Sequence, residues 1–457
     1  MNTIAAIATA MSSSGIGIVR ISGEESFQII DKIFKNKKKK PKKISEEKSH
    51  TVHYGYIFDG EELIDEVLVL IMKGPGSYTG EDTIEIDCHG GVLVTRKILE
   101  TVIKYGARPA DPGEYTKRAF LNGRLDLTQA EAVIDVINAK NQYALKSSVS
   151  QLEGAVSKRI RGLRESVIYQ IAFIESALDD PENISLDGYP KTLLGAILPV
   201  KEELKRLIQS SENGRVLSEG IETVILGKPN AGKSSLMNVL VGEERAIVTE
   251  IAGTTRDTLK EQIRLEDLSL NIIDTAGIRD TADVVEKIGV EKARKAAEAA
   301  DLIIYVVDGS CPLDENDEEI LTFIETKKAV IVVNKSDLSM VISPDSLKER
   351  TSHNVITISA RNRSGIEALE QEIKTMFYEG ELDFNDQVYI TNVRQKNALI
   401  GALKSLDMVE QSINDGMAED FYSIDLMDAY EQLGTILGES VEDDLVREIF
   451  NKFCMGK

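Results

Sequence analysis

The residues best suited to chemistry lie in the run Gly227-Lys-Pro-Asn-Ala-Gly-Lys-Ser-Ser235, which has the spacing G-x-x-x-x-G-K-[ST]. Gly227 and Gly232 let the backbone fold tightly, so that successive N–H groups converge on phosphate oxygens. In such a loop Lys233 reaches the β- and γ-phosphates and the Ser234 hydroxyl ligates magnesium. A glycine turn with a chance lysine would show the same run, but four further motifs follow in order. Asp274-Thr-Ala-Gly277 sets a carboxylate near the metal and the Gly277 N–H near the γ-phosphate. Gly253-Thr-Thr-Arg-Asp257 offers Thr255 as a second magnesium hydroxyl from a switch loop. In Asn334-Lys-Ser-Asp337, the Asp337 carboxylate can accept from N1 and the exocyclic amino group of guanine, donors that adenine lacks. Ser359 and Ala360 supply the last base contact. These five motifs describe a guanine-nucleotide domain.

How the bond is cleaved is less direct. Ile278 follows Gly277, where many small GTPases carry a glutamine that orients the attacking water. An apolar side chain cannot do this, which leaves Asp280, Asp283 and Glu286 as candidates acting directly or through a second water. Arg256 and Arg279 are the arginines near the site, and surface positions on the switch loop account for both. Asn230 has an amide oxygen able to ligate a monovalent cation, which would bring the positive charge an arginine finger otherwise supplies.

The elements that must position these residues follow from apolar patterning. Thr223–Leu226, Leu270–Ile273, Leu302–Val307, Val330–Val333 and Val355–Ile358 are short runs rich in Ile and Val, with helical stretches between most of them. That is the pattern of a mainly parallel sheet covered on both faces, with the phosphate loop between the first strand and a helix starting near Ser234. Residues 1–120 instead read as strand-rich α+β, with runs at Gly17–Ile21, Val67–Met72 and Thr83–Asp87. Thr128–Leu178 reads as one long helix or a pair, and a further helix is expected over 192–211. Val393–Ile413, Asp420–Leu437 and Val441–Phe450 also read as helix. Helical blocks thus flank the α/β block, which suggests an α/β domain inserted into a helical one. The expected division is 1–120, 121–215, 216–380 and 381–457.

The chain has 457 residues and a formal net charge of −22, which argues against a general nucleic-acid binder, since phosphate binding depends on clustered Lys and Arg. It leaves room for a local basic patch. Lys35–Lys43 holds seven lysines in nine residues and reads either as a phosphate-binding arm or, by default, as a mobile solvated loop. With no Trp, stacking on bases would rest on Tyr, Phe or His. Cys88, Cys311 and Cys454 are too few and scattered for a disulfide framework, which points to the cytoplasm. No apolar stretch has the roughly 20 residues of a membrane span, and the start of the chain lacks the pattern of a signal peptide. Cys88 and His89 are adjacent with no second pair, a poor basis for a metal site.

Further stretches narrow the reading: Gly17-Ile-Val-Arg-Ile-Ser-Gly23, Tyr78-Thr-Gly-Glu-Asp82, His89-Gly-Gly91, Arg118-Ala-Phe-Leu-Asn-Gly-Arg-Leu-Asp126 and Phe453-Cys-Met-Gly-Lys457. With the nucleotide motifs they resemble the bacterial tRNA modification GTPase MnmE (TrmE) family over essentially the whole length. The resemblance implies an N-terminal α+β folate-binding domain, a helical domain split in sequence, and an inserted Ras-like P-loop GTPase domain. It implies a potassium-dependent, homodimeric GTP hydrolase working in a heterotetramer or larger assembly with the flavoprotein MnmG (GidA). The task implied is addition of an aminomethyl or carboxymethylaminomethyl group to C5 of the wobble uridine in certain tRNAs. The one-carbon unit would come from 5-formyl- or 5,10-methylenetetrahydrofolate.

By the same resemblance Asn230 ligates potassium, with Thr249, Ile251 and Thr254 giving further potassium contacts, while Ser234 and Thr255 hold magnesium. Glu286, twelve residues after Asp274, matches the catalytic glutamate, and Lys233 assists at the phosphates. The GTP contacts comprise Asn230, Ala231, Gly232, Lys233, Ser234 and Ser235, then Thr249, Thr254, Thr255, Asp274, Thr275, Ala276 and Gly277. Asn334, Lys335, Asp337, Ser359, Ala360 and Arg361 complete them around the base. Arg20, Glu81, Arg124 and Lys457 correspond to folate positions, and Cys454 to a cysteine of the modification chemistry. Without the family, Arg20 and Arg124 are arginines near turns, Glu81 a turn cap, and Cys454 an ordinary thiol. Two other functions share some of these motifs, a ribosome-assembly GTPase and a folate-dependent aminomethyltransferase regulated by GTP. Against the first, the acidic Glu439–Asp444 stretch contrasts with the basic RNA-binding domain such factors carry after the GTPase domain.

Overall fold

Residues Val67–Met72 alternate buried and more exposed positions, as a sheet covered on one face requires. The fold comes from a computed structural model, which describes residues 2–245, 260–265, 268–273, 295–379, 389–439 and 456. Strands β1 (Ile4–Ile7), β2 (Ile16–Ser22), β3 (Phe34–Asn36), β4 (Thr51–Asp59), β5 (Glu62–Met72), β6 (Thr83–His89) and β7 (Arg108–Pro109) form one sheet in the order β3-β4-β5-β6-β2-β1-β7. Neighbours are antiparallel except β1 with β7. Val19, Ile21, Val67, Val69, Ile84 and Ile86 point inward against α1 (Ser26–Ile33) and α2 (Val92–Lys104). Leu68, between two inward valines, faces out and is exposed. Cys88 and His89 obey the same alternation on β6, the thiol buried and the imidazole exposed and bonded to Asp65 at 2.7 Å. A short helix, α3 (Glu114–Leu121), follows β7.

The lysine run folds back as a hairpin, with Lys35 bridged to Pro41 and Lys37–Lys40 exposed. Asn36 N–H donates to Lys40 O at 2.9 Å and Lys39 N–H to Asn36 O at 2.7 Å. The Asn36 side chain also accepts from the Lys38 and Lys40 amides.

The helical stretch expected over 128–178 is three helices, α4 (Leu127–Asn138), α5 (Gln142–Leu152) and α6 (Ala155–Asp179). No proline marks the breaks. Asn141 restarts the helix by accepting the Ala144 N–H at 2.7 Å, and Gly154, at φ 91°, supplies the left-handed residue ahead of α6. The helix expected over 192–211 is longer, α7 (Tyr189–Glu219).

Packing divides the chain into two compact units, Met1–Ile137 with Ser148–Leu204 and Asn397–Lys457, and Asn138–Ser147 with Lys205–Lys396. The second is built on β8 (Ile221–Leu226), β9 (Lys260–Leu265), β10 (Leu268–Ile273), β11 (Leu302–Asp308), β12 (Ala329–Asn334) and β13 (Val355–Thr357), in the order β13-β12-β11-β8-β10-β9. All neighbours are parallel except β9, an antiparallel edge strand that the sequence reading missed. β12 is buried along its whole length. Ile304, Val306, Val330 and Val332 enter one core, while Ile303, Tyr305, Ile331 and Val333 enter the other. This two-sided burial explains why these strands read as continuous Ile/Val runs. Helices α8 (Lys233–Arg245), α9 (Glu315–Ile324), α10 (Pro344–Lys348) and α11 (Ile366–Lys374) belong to the same unit.

The chain continues with α12 (Val393–Asn414) and α13 (Glu419–Leu437). In the first unit α6 packs on α13. Val156, Ile160, Leu163, Val167, Ile171 and Ile174 recur at helical spacing on α6, and Leu426, Ala429, Leu433 and Ile436 do so on α13. Lys201 on α7, almost fully buried, is compensated by Asp407 at 2.7 Å and by Glu410, both on α12. The helix expected over Val441–Phe450 lies outside the described residues.

Candidate functional site

Strand β8 delivers the chain into the loop Gly227–Gly232. A Cβ on Gly227 would lie 2.3 Å from Val306 O on the neighbouring strand, so only glycine lets the loop leave the sheet there. Asn230 adopts φ 63°, a left-handed conformation that asparagine tolerates. Gly232, at φ 101°, would place a Cβ 2.1 Å from Asn334 Nδ2. Lys233 opens α8 and its Nζ donates to Gly227 O at 2.6 Å and Lys228 O at 2.8 Å, which holds the ammonium over the loop. Ser234 sits beside it at the helix N-terminus, where backbone N–H groups favour an anion.

The two sides of the cleft are tied together by one residue. Buried Asn334, at the end of β12, donates from Nδ2 to Ala231 O at 3.0 Å and accepts at Oδ1 from Ala360 N at 3.0 Å. Asp337 accepts from Ser359 Oγ at 2.7 Å, and that hydrogen bond holds its carboxyl below the ordinary value. Lys335 reaches Asp308 at 2.5 Å. Burial works to raise the Asp308 pKa, but the Lys335 hydrogen bond and those from Ser310 leave it lowered. Asn230, Lys233, Ser234, Ser235, Asn334, Lys335, Asp337, Ala360 and Arg361 line one open cleft of about 410 Å³. That volume lies in the range of small-molecule sites.

Sequence reasoning missed the anchor beneath this loop. Lys228 pairs with Asp314 at 2.8 Å and Asp317 at 2.6 Å. Asp317 is buried and accepts from Tyr305 Oη at 2.6 Å, while Asp314 caps α9 in a reciprocal box with Asp317. The loop is thereby fastened to a strand and a helix N-terminus. The signal available in the sequence was Asp314-x-x-Asp317, a capping box with aspartate at both ends.

A second polar cluster lies in the first unit. Arg20 on β2 bonds Glu85 at 2.7 Å through Nε and donates from Nη1 to Gly456 O at 3.0 Å. Its guanidinium stands 5.5 Å from the Tyr115 ring, and Tyr115 Oη donates to Arg20 O at 2.8 Å. Glu81 accepts from Ser22 Oγ at 2.9 Å and from Arg118 Nη1 at 2.9 and 3.2 Å. Arg124 is exposed, with its guanidinium 4.9 Å from the Tyr78 ring. Tyr78 and Tyr115 belong to one apolar cluster, so Arg20 and Arg124 stand on rings of a shared aromatic floor, while Glu81 is held by Ser22 and Arg118. Gly456 is buried against β1, where a Cβ would lie 2.5 Å from Ile7 O.

Residues 3–124 match the family model described as the GTP-binding protein TrmE N-terminus, and residues 127–454 match the MnmE helical domain. The chain is 60% identical over 456 residues to the tRNA modification GTPase MnmE of Lachnoclostridium phytofermentans, covering 100% of this chain and 99% of that protein. It is 47% identical over 457 residues to the MnmE of Clostridioides difficile, with the same coverage. The chain belongs to the MnmE family of tRNA modification GTPases.

Membership in the MnmE family of GTPases makes the chain a GTP-binding hydrolase, and an open cleft of this size accommodates a nucleotide. Thr249, Ile251, Thr254, Thr255, Asp274, Thr275, Ala276, Gly277, Glu286, Cys454 and Lys457 lie outside the described residues. Arg118 was quoted only as part of a family stretch, yet it is the residue that neutralises Glu81. It is 2% exposed and bonds Glu114 at 2.9 Å and Asn2 O at 2.7 Å as well. The Glu114–Arg118 spacing of four on a helix was the available signal. No described helix is long and apolar enough to cross a membrane.

Proposed function

We propose that the chain is a potassium-dependent GTP hydrolase that modifies the wobble uridine of certain tRNAs. It acts in the cytoplasm as a homodimer with the flavoprotein MnmG (GidA), in a heterotetramer or larger assembly. Together they add an aminomethyl or carboxymethylaminomethyl group to C5, with 5-formyl- or 5,10-methylenetetrahydrofolate as one-carbon donor. The observation that carries this reading is the pair of Asn334 hydrogen bonds joining phosphate and base loops, in a chain matched end to end by MnmE relatives.

Within that reading Lys233 neutralises the β- and γ-phosphates and Ser234, with Thr255, holds magnesium. The Ser234 position beside Lys233 on the cleft wall fits a hydroxyl ligand. Asn230, also on the cleft wall, gives an amide oxygen to potassium, with Thr249, Ile251 and Thr254 as further contacts. Potassium supplies positive charge near the phosphates when bound. Glu286 orients the water. Arg20, Glu81, Arg124 and Lys457 hold the folate, for which the charged cluster over Tyr115 and Tyr78 is chemically suited. Cys454 acts in the modification chemistry. The domain division follows as folate-binding 1–120, helical 121–215 and 381–457, and GTPase 216–380.

The test is GTP hydrolysis in potassium and in sodium, with and without the flavoprotein, alongside nucleoside analysis of bulk tRNA after deletion of the gene. Faster hydrolysis in potassium and loss of wobble modification are expected. Equal rates in the two salts remove the potassium reading, and normal wobble uridine with defective ribosomal subunits replaces the tRNA reading by ribosome assembly.

A further inference from the structure

The strongest concentration of charge in the chain is not in either cluster above. Between Lys35 and Lys48 there are eight lysines against two glutamates, in a protein whose net charge is −22. The glutamates are already engaged, Glu47 with Lys42 at 2.9 Å and Glu46 with Lys43 at 3.3 Å. Among the described residues no carboxylate pairs with Lys35, Lys37, Lys38, Lys39 or Lys40. The ammonium of Lys35 instead lies 3.8 Å from the Phe58 ring, that of Lys37 4.6 Å from Tyr54, and that of Lys39 5.5 Å from Tyr56. Tyr54 and Tyr56 share the outer face of β4, their ring centroids 6.3 Å apart, and Tyr54 is 40% exposed.

We propose that this hairpin is a docking surface for RNA, its lysines on phosphates and the Tyr54–Tyr56 face against unpaired bases. The inference rests on the tRNA reading above and names where such a substrate is held. Three features favour it. The bonds around Asn36 fix the backbone that carries the lysines before binding, so less backbone ordering entropy is lost when a ligand arrives. An acidic body repels polyanions over most of its surface, so attraction has to be local and dense. The exposed Tyr54 ring, beside half-buried Tyr56 and among lysines, suits single-stranded or loop RNA, whose bases can stack, better than a lipid headgroup plane. The competing role is protection of the edge strand β3 against pairing with another sheet.

The experiment is fluorescence anisotropy of labelled tRNA titrated with the full-length chain between low and moderate salt. It compares wild type with the fourfold variant Lys37→Gln, Lys38→Gln, Lys39→Gln and Lys40→Gln. All four side chains are exposed, so the variant is expected to fold and to keep its basal GTP hydrolysis. The expected result is binding about tenfold or more weaker at low salt, with a log–log salt slope shallower by about 3. Tyr54→Ala should weaken binding and leave the slope alone. Equal affinity and slope overturn the proposal. So does a variant that self-associates with unchanged affinity, which would assign the lysines to the edge strand. Wild type that binds anionic phosphatidylserine vesicles but not tRNA overturns it in favour of a membrane surface. The tRNA reading itself is judged separately, by the wobble-uridine analysis.

Discussion

The nucleotide cleft and the polar cluster around Arg20 both depend on buried polar groups, but they are assembled in opposite ways. The cleft is made by short loops leaving the ends of buried parallel strands, and its hydrogen bonds run largely through backbone atoms. The Arg20 cluster is made by long charged side chains from β2, α3 and the β5–β6 connection, with Arg20 reaching the backbone carbonyl of Gly456, 436 positions away. Backbone-built sites announce themselves as local motifs, because glycines and capping residues must fall at fixed offsets. Clusters built from side chains leave only scattered charges in the text of the sequence.

The largest expected effect attacks the cleft. Asp337→Ala removes the acceptor proposed for guanine and should lower discrimination of GTP over ATP by on the order of 10⁴-fold, read from competition binding. Unchanged discrimination would mean that Asp337 does not read the base. Next comes Arg118→Leu, which leaves Glu81 without its buried counter-charge and Glu114 with Arg108 alone. It should cost the N-terminal unit about 3–5 kcal/mol in urea denaturation, with basal GTP hydrolysis kept. A parallel loss of hydrolysis would dissolve the contrast drawn between the two regions. Asn334→Ala strands Ala231 O and Ala360 N and should cost about 1–3 kcal/mol in GTP binding for each group left unpaired; affinity equal to wild type would show that the loops hold themselves.

The smallest effect is a pH dependence. Burial works to raise the Glu114 pKa, but the hydrogen bonds from Arg108, the Asp111 backbone and Arg118 leave it below 4.5 in the folded chain. A depressed folded value gives stability that is present above the unfolded pKa and lost as pH falls through the folded one. Acid titration of denaturation should therefore show the N-terminal unit weakening below pH 4.5, and Arg108→Met should flatten that loss. An unaltered acid profile in the variant would show that the Arg108 contact is not what depresses Glu114.

Legibility followed the same division. β8, β10, β11, β12 and β13 stand within a residue or two of the Ile/Val runs that predicted them, since burial on both faces leaves little else to occupy those positions. The breaks between α4, α5 and α6 were hidden because they rest on Asn141 and Gly154, ordinary residues until their side-chain and backbone angles are known. Edge strand β9 reads Lys260-Glu-Gln-Ile-Arg-Leu265, mostly polar, and so left no such run. At the Arg20 cluster three residues were foreseen from family stretches, whereas Arg118, which neutralises Glu81, was not. Nothing in its spacing distinguishes it from a solvated helix ion pair.

Asn334 has a consequence for how ligands enter. One carboxamide fixes both Ala231 O and Ala360 N, so the halves of the cleft proposed to hold phosphate and base cannot settle independently. Fragments of the nucleotide should then help one another: pyrophosphate present in the cleft ought to tighten guanosine, and guanosine ought to tighten pyrophosphate by the same factor.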